Sequence, residues 1–211
     1  MQSSAAGAGP QAGLRPAKLF DDRTALVVVD VQNDFADPRG SLAVAGAEQV
    51  VAAADVLVAE AQAAAAFIVY SQDWHPPHTP HFAQDGGTWP VHCVAGTWGA
   101  ESHPALRVVG PVVRKGANGE DGYSAFTMRD PVTGETAPTG LGGLLEERGI
   151  VRLVVIGLAT DYCVRATVLD GLSLGFEVDV VPAACAPVEL AAGDGARALG
   201  EMRQAGARIG G

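Results

Sequence analysis

Three mostly apolar runs that each lead to a chemically reactive residue constrain the fold of this chain most. Residues 25–29 lead to Asp30, residues 111–114 lead to Lys115, and residues 151–158 are followed shortly by Cys163. A short run without polar alternation is typical of a strand that is covered on both faces, as in a parallel sheet. Because the carboxyl ends of parallel strands meet at one edge of the sheet, we expect the acid, the amine and the thiol to share one crevice.

Predicted strands and helices alternate along the chain. The sequence predicts strands over 25–30, 67–71, 108–114, 151–158 and 176–181, and helices over 43–66, 141–148, 161–174 and 188–205. Residues 73–104, which hold all five histidines, and residues 115–140 are predicted to be mostly loop. This alternation predicts an α/β fold, a three-layer sandwich with a mainly parallel central sheet of about five or six strands flanked by helices.

Length and composition limit the number of domains. The 211 residues, of which 48% are hydrophobic, fit a single globular domain, which we place over residues 17–211. Residues 1–16 are rich in Ala, Gly, Ser and Gln and lack the basic start and apolar segment of a secretory signal, so we expect a disordered tail there. The alanine-rich helix over 43–66 suits a subunit contact in a homo-oligomer, but burial against the sheet explains the same residues.

Charge and cysteine content indicate the kind of partner. The formal net charge of −10 argues against nucleic acid and against an anionic membrane surface, and it favours a small-molecule substrate. Three cysteines are too few for a disulfide scaffold, and no apolar stretch reaches the length of a membrane span. We therefore expect a cytoplasmic protein in a reducing compartment.

Cys163 follows a strand at a position that suits a nucleophile. Residues 157–164 run from an apolar strand through a tight turn into a helix, which places Cys163 in or near the first helical turn. The positive end of the helix dipole and the unpaired amide groups there favour a thiolate, and the N–H groups of Ala159 and Cys163 are candidates to hold an oxyanion. The alternative is that Cys163 is a small buried apolar residue. For Cys93 and Cys185 we expect structural roles.

Asp30 and Lys115 supply the groups that such a thiol needs. A carboxylate within hydrogen-bond reach can take the thiol proton and return it to a leaving amine, while an ammonium group keeps the carboxylate ionised. Taken alone, Asp30 could cap a helix or loop, and Lys115 could be a solvated surface charge. Both residues follow apolar strands, however, where a charge is costly unless it is paired. Together with Cys163 they indicate a cysteine hydrolase.

A second set of candidate residues lies in the histidine-rich loop. Asp73 and His75 are two residues apart in an extended segment, so their side chains point to the same side, and a histidine such as His92 could complete a site for zinc, iron or manganese. The alternative is that these histidines serve hydrogen bonding or solubility. Phe35 and Trp89 are aromatic residues in the same loops, and they either wall a flat pocket or pack the loops onto the sheet.

Six short motifs together resemble a known family. The motifs DVQNDF (30–35), RKG (114–116) and GLATDYCV (157–164) are similar to those of the isochorismatase-like cysteine hydrolases. The motifs DWH (73–75), WPVHC (89–93) and HP (103–104) resemble the nicotinamidase (pyrazinamidase) branch in particular. The resemblance covers nearly everything from about residue 22 onward. One departure is the loop over 116–122, which is more acidic and longer than the resemblance leads us to expect.

The resemblance implies roles for the residues around the thiol. It implies a catalytic triad of Asp30, Lys115 and Cys163, with the N–H groups of Ala159 and Cys163 as the oxyanion donors. It also implies a cis peptide bond between Leu158 and Ala159, in the turn before the nucleophile. These roles agree with those that the strand ends suggest.

The resemblance further implies a metal site and a substrate pocket. The implied ligands of one divalent metal ion are Asp73, His75 and His92, with His81 as a further candidate. Zinc is the first choice of metal, and iron and manganese are alternatives. The residues implied to contact the substrate are Phe35, Trp89, Tyr123 and Leu158. In this family the metal holds the pyridine nitrogen of the substrate and so orients the carboxamide toward the thiol.

The function that the resemblance implies is hydrolysis of nicotinamide to nicotinate and ammonia through a thioester, a step of NAD salvage. Pyrazinamide, which carries the same carboxamide on a flat ring, is expected to be a second substrate. The main alternative is another amide or ureido hydrolase that acts on an N-carbamoyl compound, which would need no metal. A non-catalytic binding protein on the same fold and a purely structural metal site are the remaining alternatives.

Overall fold

A parallel sheet forms the centre of the computed structural model, which describes residues 18–210. The predicted tail over 1–16 lies outside the described residues. In chain order the strands are β1 (Thr24–Val29), β2 (Phe67–Asp73), β3 (Val112–Lys115), β4 (Thr127–Arg129), β5 (Thr136–Pro138), β6 (Arg152–Leu158), β7 (Glu177–Ala186) and β8 (Arg208–Ile209). The helices are α1 (Asn33–Ala36), α2 (Ala47–Ala63), α3 (Leu141–Glu146), α4 (Arg165–Ser173) and α5 (Asp194–Gln204).

The main sheet has six strands in the order β3-β2-β1-β6-β7-β8, and all neighbours are parallel. Strand β1 is buried throughout, and its residues alternate between two hydrophobic clusters. Leu26 and Val28 pack in a cluster with Val58 of α2, whereas Val27 packs in a cluster with residues of α3, α4 and α5, among them Met202. The predicted α/β fold, with helices on both faces of a mainly parallel sheet, is therefore confirmed.

All four predicted helices are shorter in the structure, and those predicted over 43–66 and 188–205 differ most. Helix α2 is shorter at both ends than the predicted helix over 43–66. Gly46, in the left-handed conformation (φ 83°), directly precedes its first residue, and Ala65, also left-handed (φ 56°), lies just after its end. Helix α5 replaces the predicted helix over 188–205 and begins only after Gly193, which is also left-handed (φ 88°). No helix within residues 18–210 has both the length and the apolar character that crossing a membrane requires.

The strands also differ from the prediction at several points. Strand β7 continues to Ala186, so that Cys185 lies inside the strand rather than after it. The predicted loop over 115–140 contains the antiparallel hairpin of β4 and β5, whose strands of three residues each are too short to give a periodic pattern. Strand β8 has two residues and was not predicted for the same reason.

Gly157 lets β6 approach β1 beside the site. Its φ is 118°, a conformation that residues with a side chain rarely adopt. A Cβ atom at this position would lie 2.1 Å from the carbonyl oxygen of Val29, which directly precedes Asp30. Because the obstacle is backbone of the central strand, it cannot rotate away as a side chain could. Any side chain at position 157 therefore forces β1 and β6 apart.

We predict that Gly157→Ala lowers the free energy of unfolding by about 2–4 kcal/mol, the range expected for backbone strain combined with a steric clash. Urea-induced unfolding measures this difference. The matched control is Gly142→Ala in α3, where no atom lies within 4 Å of the added Cβ. Since alanine favours a helix, the control is expected to stabilise by up to about 1 kcal/mol. Equal stability of the Gly157 variant and the wild type would contradict this account of the contact between β1 and β6.

Candidate active site

The structure brings Asp30, Lys115 and Cys163 together at the carboxyl edge of the sheet. Asp30 follows β1, Lys115 ends β3, and Cys163 lies in a π-helical turn between β6 and α4. The Lys115 Nζ atom lies 2.9 Å from Asp30 Oδ2 and 3.5 Å from Cys163 Sγ. All three side chains are buried, and Asp30 and Lys115 are at most 1% exposed. The predicted acid, amine and thiol therefore form one contiguous cluster.

Asp73 joins this cluster through the same lysine. It ends β2, next to Lys115 in the register of the sheet, and Lys115 Nζ donates a short hydrogen bond to its Oδ1 atom. The Ser71 hydroxyl donates a hydrogen bond of 2.6 Å to Asp30 Oδ1. One ammonium group is thus shared by two carboxylates and a thiol. The sequence predicted Asp73 only as a metal ligand and did not reveal this contact.

Burial and charge shift the pKa of every group in the cluster. Burial raises the pKa of Asp30, and Lys115 only partly offsets it. Burial also acts to raise the pKa of Asp73, but Lys115 and the nearby histidines hold it well below its usual value. Burial acts to lower the pKa of Lys115, yet the charges of Asp30 and Asp73 outweigh it and keep the pKa well above its usual value. Lys115 is therefore charged and Asp73 ionised at neutral pH.

The thiol of Cys163 is protonated in this environment. Burial raises its pKa well above the usual value, and the attraction of Lys115 does not compensate for it. Cys163 lies near a helix start, as the sequence predicts, in the π-helical turn directly before α4. A base must therefore take the proton of Cys163 when the sulfur reacts. Asp30 is the candidate base, because burial raises its pKa and its carboxylate lies within 4.8 Å of the sulfur.

Three histidines from the predicted loop form a second buried cluster beside the first. His75, His81 and His92 each direct one ring nitrogen to a common region, and these atoms lie within 4.8 Å of one another. Asp73 Oδ2 lies 3.9 Å from His75 Nε2 and 3.8 Å from His92 Nε2. Ligand atoms of one zinc ion are about 3 to 4 Å apart when each bond is about 2.1 Å long. The four side chains therefore have the spacing of a site that can hold a divalent metal ion.

The hydrogen bonds of the outer ring nitrogens support this assignment. His92 Nδ1 lies 2.7 Å from the carbonyl oxygen of Pro90, and His81 Nδ1 lies 2.7 Å from Asp121 Oδ1. Both nitrogens must donate, which leaves each Nε2 as a free electron-pair donor. Both ring nitrogens of His75 are buried without any hydrogen-bond partner. A buried orphaned imidazole is costly unless a ligand completes it, so these residues fit a metal ion.

One acidic residue of the loop over 116–122, Asp121, has a visible structural role. Its carboxylate fixes the orientation of His81, a function that no motif in the sequence indicated. The other two histidines of the chain lie away from the cluster. His78 is exposed and pairs with Asp85, and His103 accepts a hydrogen bond from the Ala105 N–H.

A narrow cavity lies between the two clusters and is lined by Asp73, His81, His92 and Cys163. All four residues that the resemblance implies as substrate contacts line it, namely Phe35, Trp89, Tyr123 and Leu158. Sequence reasoning missed three further lining residues, which are Leu42, Tyr162 and Val188. Tyr162 directly precedes Cys163 and could have been found on that ground, whereas Leu42 and Val188 lie in loops without a motif.

Aromatic side chains give the cavity a defined wall. Trp89 Nε1 donates a hydrogen bond of 3.1 Å to the Tyr123 hydroxyl, and Tyr162 meets Trp89 edge to face with ring centroids 4.9 Å apart. Such contacts hold rings in fixed orientations. The peptide bond between Leu158 and Ala159 is cis, as the resemblance implies. Ala159 and Cys163 both line the cavity.

Comparison with known proteins agrees with this geometry. The sequence model of the isochorismatase domain matches residues 24–210. The chain belongs to the isochorismatase family. A nicotinamidase of Escherichia coli is 38% identical over 203 residues, which cover 88% of this chain and 93% of the relative.

Two crystal structures of related proteins share the fold. A protein from L. infantum in complex with nicotinate has a TM-score of 0.82 and 33% identity, over 90% of this chain and 93% of that chain. The pyrazinamidase of Pyrococcus horikoshii in complex with zinc has a TM-score of 0.78 and 34% identity, over 89% of this chain and 98% of that chain. The similarity therefore includes both the sheet and the loops that carry the histidines.

We predict that Lys115→Met lowers the free energy of unfolding by about 3–5 kcal/mol at neutral pH, because Asp30 and Asp73 would remain buried without a cation. Without the ammonium group the pKa of both carboxyl groups rises, so the folded variant binds more protons than the unfolded chain. The difference from the wild type should therefore decrease as the pH falls. Urea-induced unfolding at several pH values measures this dependence.

The control for this prediction is Arg114→Met on the same strand. Arg114 is exposed, and its guanidinium carbon lies 3.7 Å from the centre of the Trp74 ring. Its removal is expected to cost about 1 kcal/mol or less, independently of pH. A Lys115 variant that is no less stable than the Arg114 variant would contradict the role of Lys115 as the shared cation.

Proposed function

We propose that this protein is a metal-dependent cysteine amidohydrolase that converts nicotinamide to nicotinate and ammonia. The observation that carries the proposal is that the thiol cluster and the histidine cluster open into the same aromatic cavity. Each cluster alone fits several functions, but a hydrolase acting on a heteroaromatic carboxamide uses both. The similarity to a nicotinamidase and to a structure in complex with nicotinate supports the same substrate.

His75, His92 and Asp73 would hold one divalent metal ion, with His81 as a further ligand. Imidazole and carboxylate ligands suit zinc, iron and manganese, and the zinc complex of the similar pyrazinamidase favours zinc. When bound, such an ion offers an open coordination position to a ring nitrogen of the substrate. Asp73 links this site to the thiol cluster through its contact with Lys115.

The cavity walls would orient the substrate by its shape. Phe35, Trp89, Tyr123 and Leu158 line the cavity, and the hydrogen bond between Trp89 and Tyr123 fixes two of these rings. A flat ring between apolar walls places its carboxamide next to Cys163 when its nitrogen points to the histidines. Pyrazinamide has the same flat shape and the same carboxamide, so we propose it as a second substrate.

The first half of the reaction forms a thioester. Asp30 takes the proton from the Cys163 thiol as the sulfur attacks the carboxamide carbon. The N–H groups of Ala159 and Cys163 stabilise the negative oxygen of the tetrahedral intermediate. The protonated Asp30 then gives its proton to the nitrogen, and ammonia leaves as the carbon–nitrogen bond breaks. Lys115 favours the ionised form of Asp30 before the attack.

The second half of the reaction hydrolyses the thioester. Asp30, again ionised, accepts a proton from a water molecule that attacks the carbonyl carbon. The tetrahedral intermediate then breaks the carbon–sulfur bond and releases nicotinic acid, which becomes nicotinate when its carboxyl proton passes to solvent. The sulfur recovers the proton from Asp30, so the site returns to its starting state.

The experiment that tests the proposal measures ammonia release from nicotinamide by the purified protein. Activity is measured as isolated, after chelation, and after addition of zinc, iron or manganese. We expect chelation to lower the rate by at least about 100-fold, since the substrate then loses its orientation. We expect one or more of the metals to restore the rate.

Other outcomes of this experiment identify the alternatives. Hydrolysis of an N-carbamoyl compound without any metal, and no release from nicotinamide, would favour the ureido hydrolases of this fold. Unfolding on chelation, followed by circular dichroism, would indicate a structural metal site. No hydrolysis of any amide would favour a non-catalytic binding protein.

A further inference from the structure

The polar residues that follow Asp30 have no role in the proposed reaction, yet they are almost fully buried. Gln32 is 0% exposed and Asn33 is 2% exposed. They belong to the motif over 30–35, in which only Asp30 and Phe35 have a proposed function. The Gln32 side chain makes three hydrogen bonds, all to backbone atoms of Asp73 and Ala100 in other segments of the chain.

The Gln32 amide binds both backbone groups of Asp73. Its Oε1 atom accepts a hydrogen bond of 2.8 Å from the Asp73 N–H, and its Nε2 donates one of 2.7 Å to the Asp73 carbonyl oxygen. Nε2 also donates a hydrogen bond of 2.9 Å to the carbonyl oxygen of Ala100. A buried glutamine with this many well-formed hydrogen bonds is held in one orientation.

The course of β1 explains why Asp73 needs this partner. The N–H of Asp30 donates to the carbonyl oxygen of Ser71, and the chain then turns away at Asp30, whose φ is 48°. Residues two apart in a strand direct their backbone groups to the same side, so those of Asp73 face the space that β1 has left. Gln32 fills this space and takes the place of the missing strand. Without it, two backbone groups beside the site would be buried and unpaired.

We propose that Gln32 is a positioning residue that holds Asp73 in place for the divalent metal ion. This inference rests on the proposed function, because it takes Asp73 as a metal ligand. The Gln32 side chain makes no hydrogen bond to the thiol or to the side chain of any proposed metal ligand. Its effect reaches the site through the backbone of Asp73, which sets where that carboxylate lies relative to His75 and His92.

Two variants test this role. Gln32→Met keeps the length of the side chain and removes all its hydrogen bonds. Gln32→Glu keeps the shape of the side chain but places a carboxylate oxygen opposite the two carbonyl oxygens that Nε2 contacts. This variant is used if Gln32→Met does not fold. The matched control is Gln72→Met, because Gln72 is also buried, precedes Asp73 in β2 and donates to the Ser102 hydroxyl instead.

The measurements are the Kd for zinc, by competition with a chromophoric chelator, and the absorption spectrum of the protein loaded with cobalt. We expect the Gln32 variants to raise the Kd by about 10–100-fold, as partners behind metal ligands typically do, and to change the cobalt spectrum. The Gln72 variant should keep the wild-type Kd and spectrum even if its Tm falls.

Two results would overturn the inference in distinguishable ways. Gln32 variants that lose thermal stability but keep the wild-type Kd and cobalt spectrum would show that Gln32 has only a structural role, with the proposed function intact. A wild-type protein that binds no zinc or cobalt would overturn both the metal site of the proposed function and this inference.

Discussion

The site depends on the ion pairs that the ammonium group of Lys115 forms with two buried carboxylates. This ammonium group is buried between Asp30 and Asp73 and lies 3.5 Å from the sulfur of Cys163. Two carboxylates this close would repel each other in a buried site, and neither could stay ionised without a cation. Lys115 thus favours the ionised form of the carboxylate beside the thiol and of the carboxylate beside the histidines. In the proposed reaction these two groups act on opposite ends of one substrate.

The sheet supplies the precision that such a cluster requires. Asp30, Asp73 and Lys115 come directly from the ends of β1, β2 and β3, and the close approach at Gly157 holds β1 against β6. Where β1 leaves the sheet, Gln32 takes over its hydrogen bonds to Asp73. Groups on strand ends are held more rigidly than groups on free loops, which would favour both steps of the proposed function, metal binding and attack by the thiol.

The sequence predicts the strand-end residues well, for a physical reason. An apolar strand followed by a charge or a thiol is visible as a local pattern, and parallel strands bring such ends together wherever they lie in the chain. The fold and the convergence of Asp30, Lys115 and Cys163 follow from this rule. The histidines proposed as metal ligands lie in a loop without periodicity, so only the spacing of Asp73 and His75 and the family resemblance indicate them.

Other features of the site depend on contacts between distant segments. Leu42 and Val188 reach the cavity through loops whose course no local pattern specifies. The pairing of Asp121 with His81 joins segments 40 residues apart, and the raised pKa of Cys163 follows from burial, which the helix start alone does not reveal. Charge at a strand end is thus easier to predict than the degree to which water is excluded from it.

The most direct test of the central claim, that Cys163 is the nucleophile of a nicotinamide hydrolase, is mass spectrometry of protein quenched with acid during turnover. The account predicts a nicotinoyl group on the peptide that contains Cys163, and its absence from a Cys163→Ala variant that still binds nicotinamide. Sustained release of ammonia from nicotinamide by the metal-loaded Cys163→Ala variant would contradict the account.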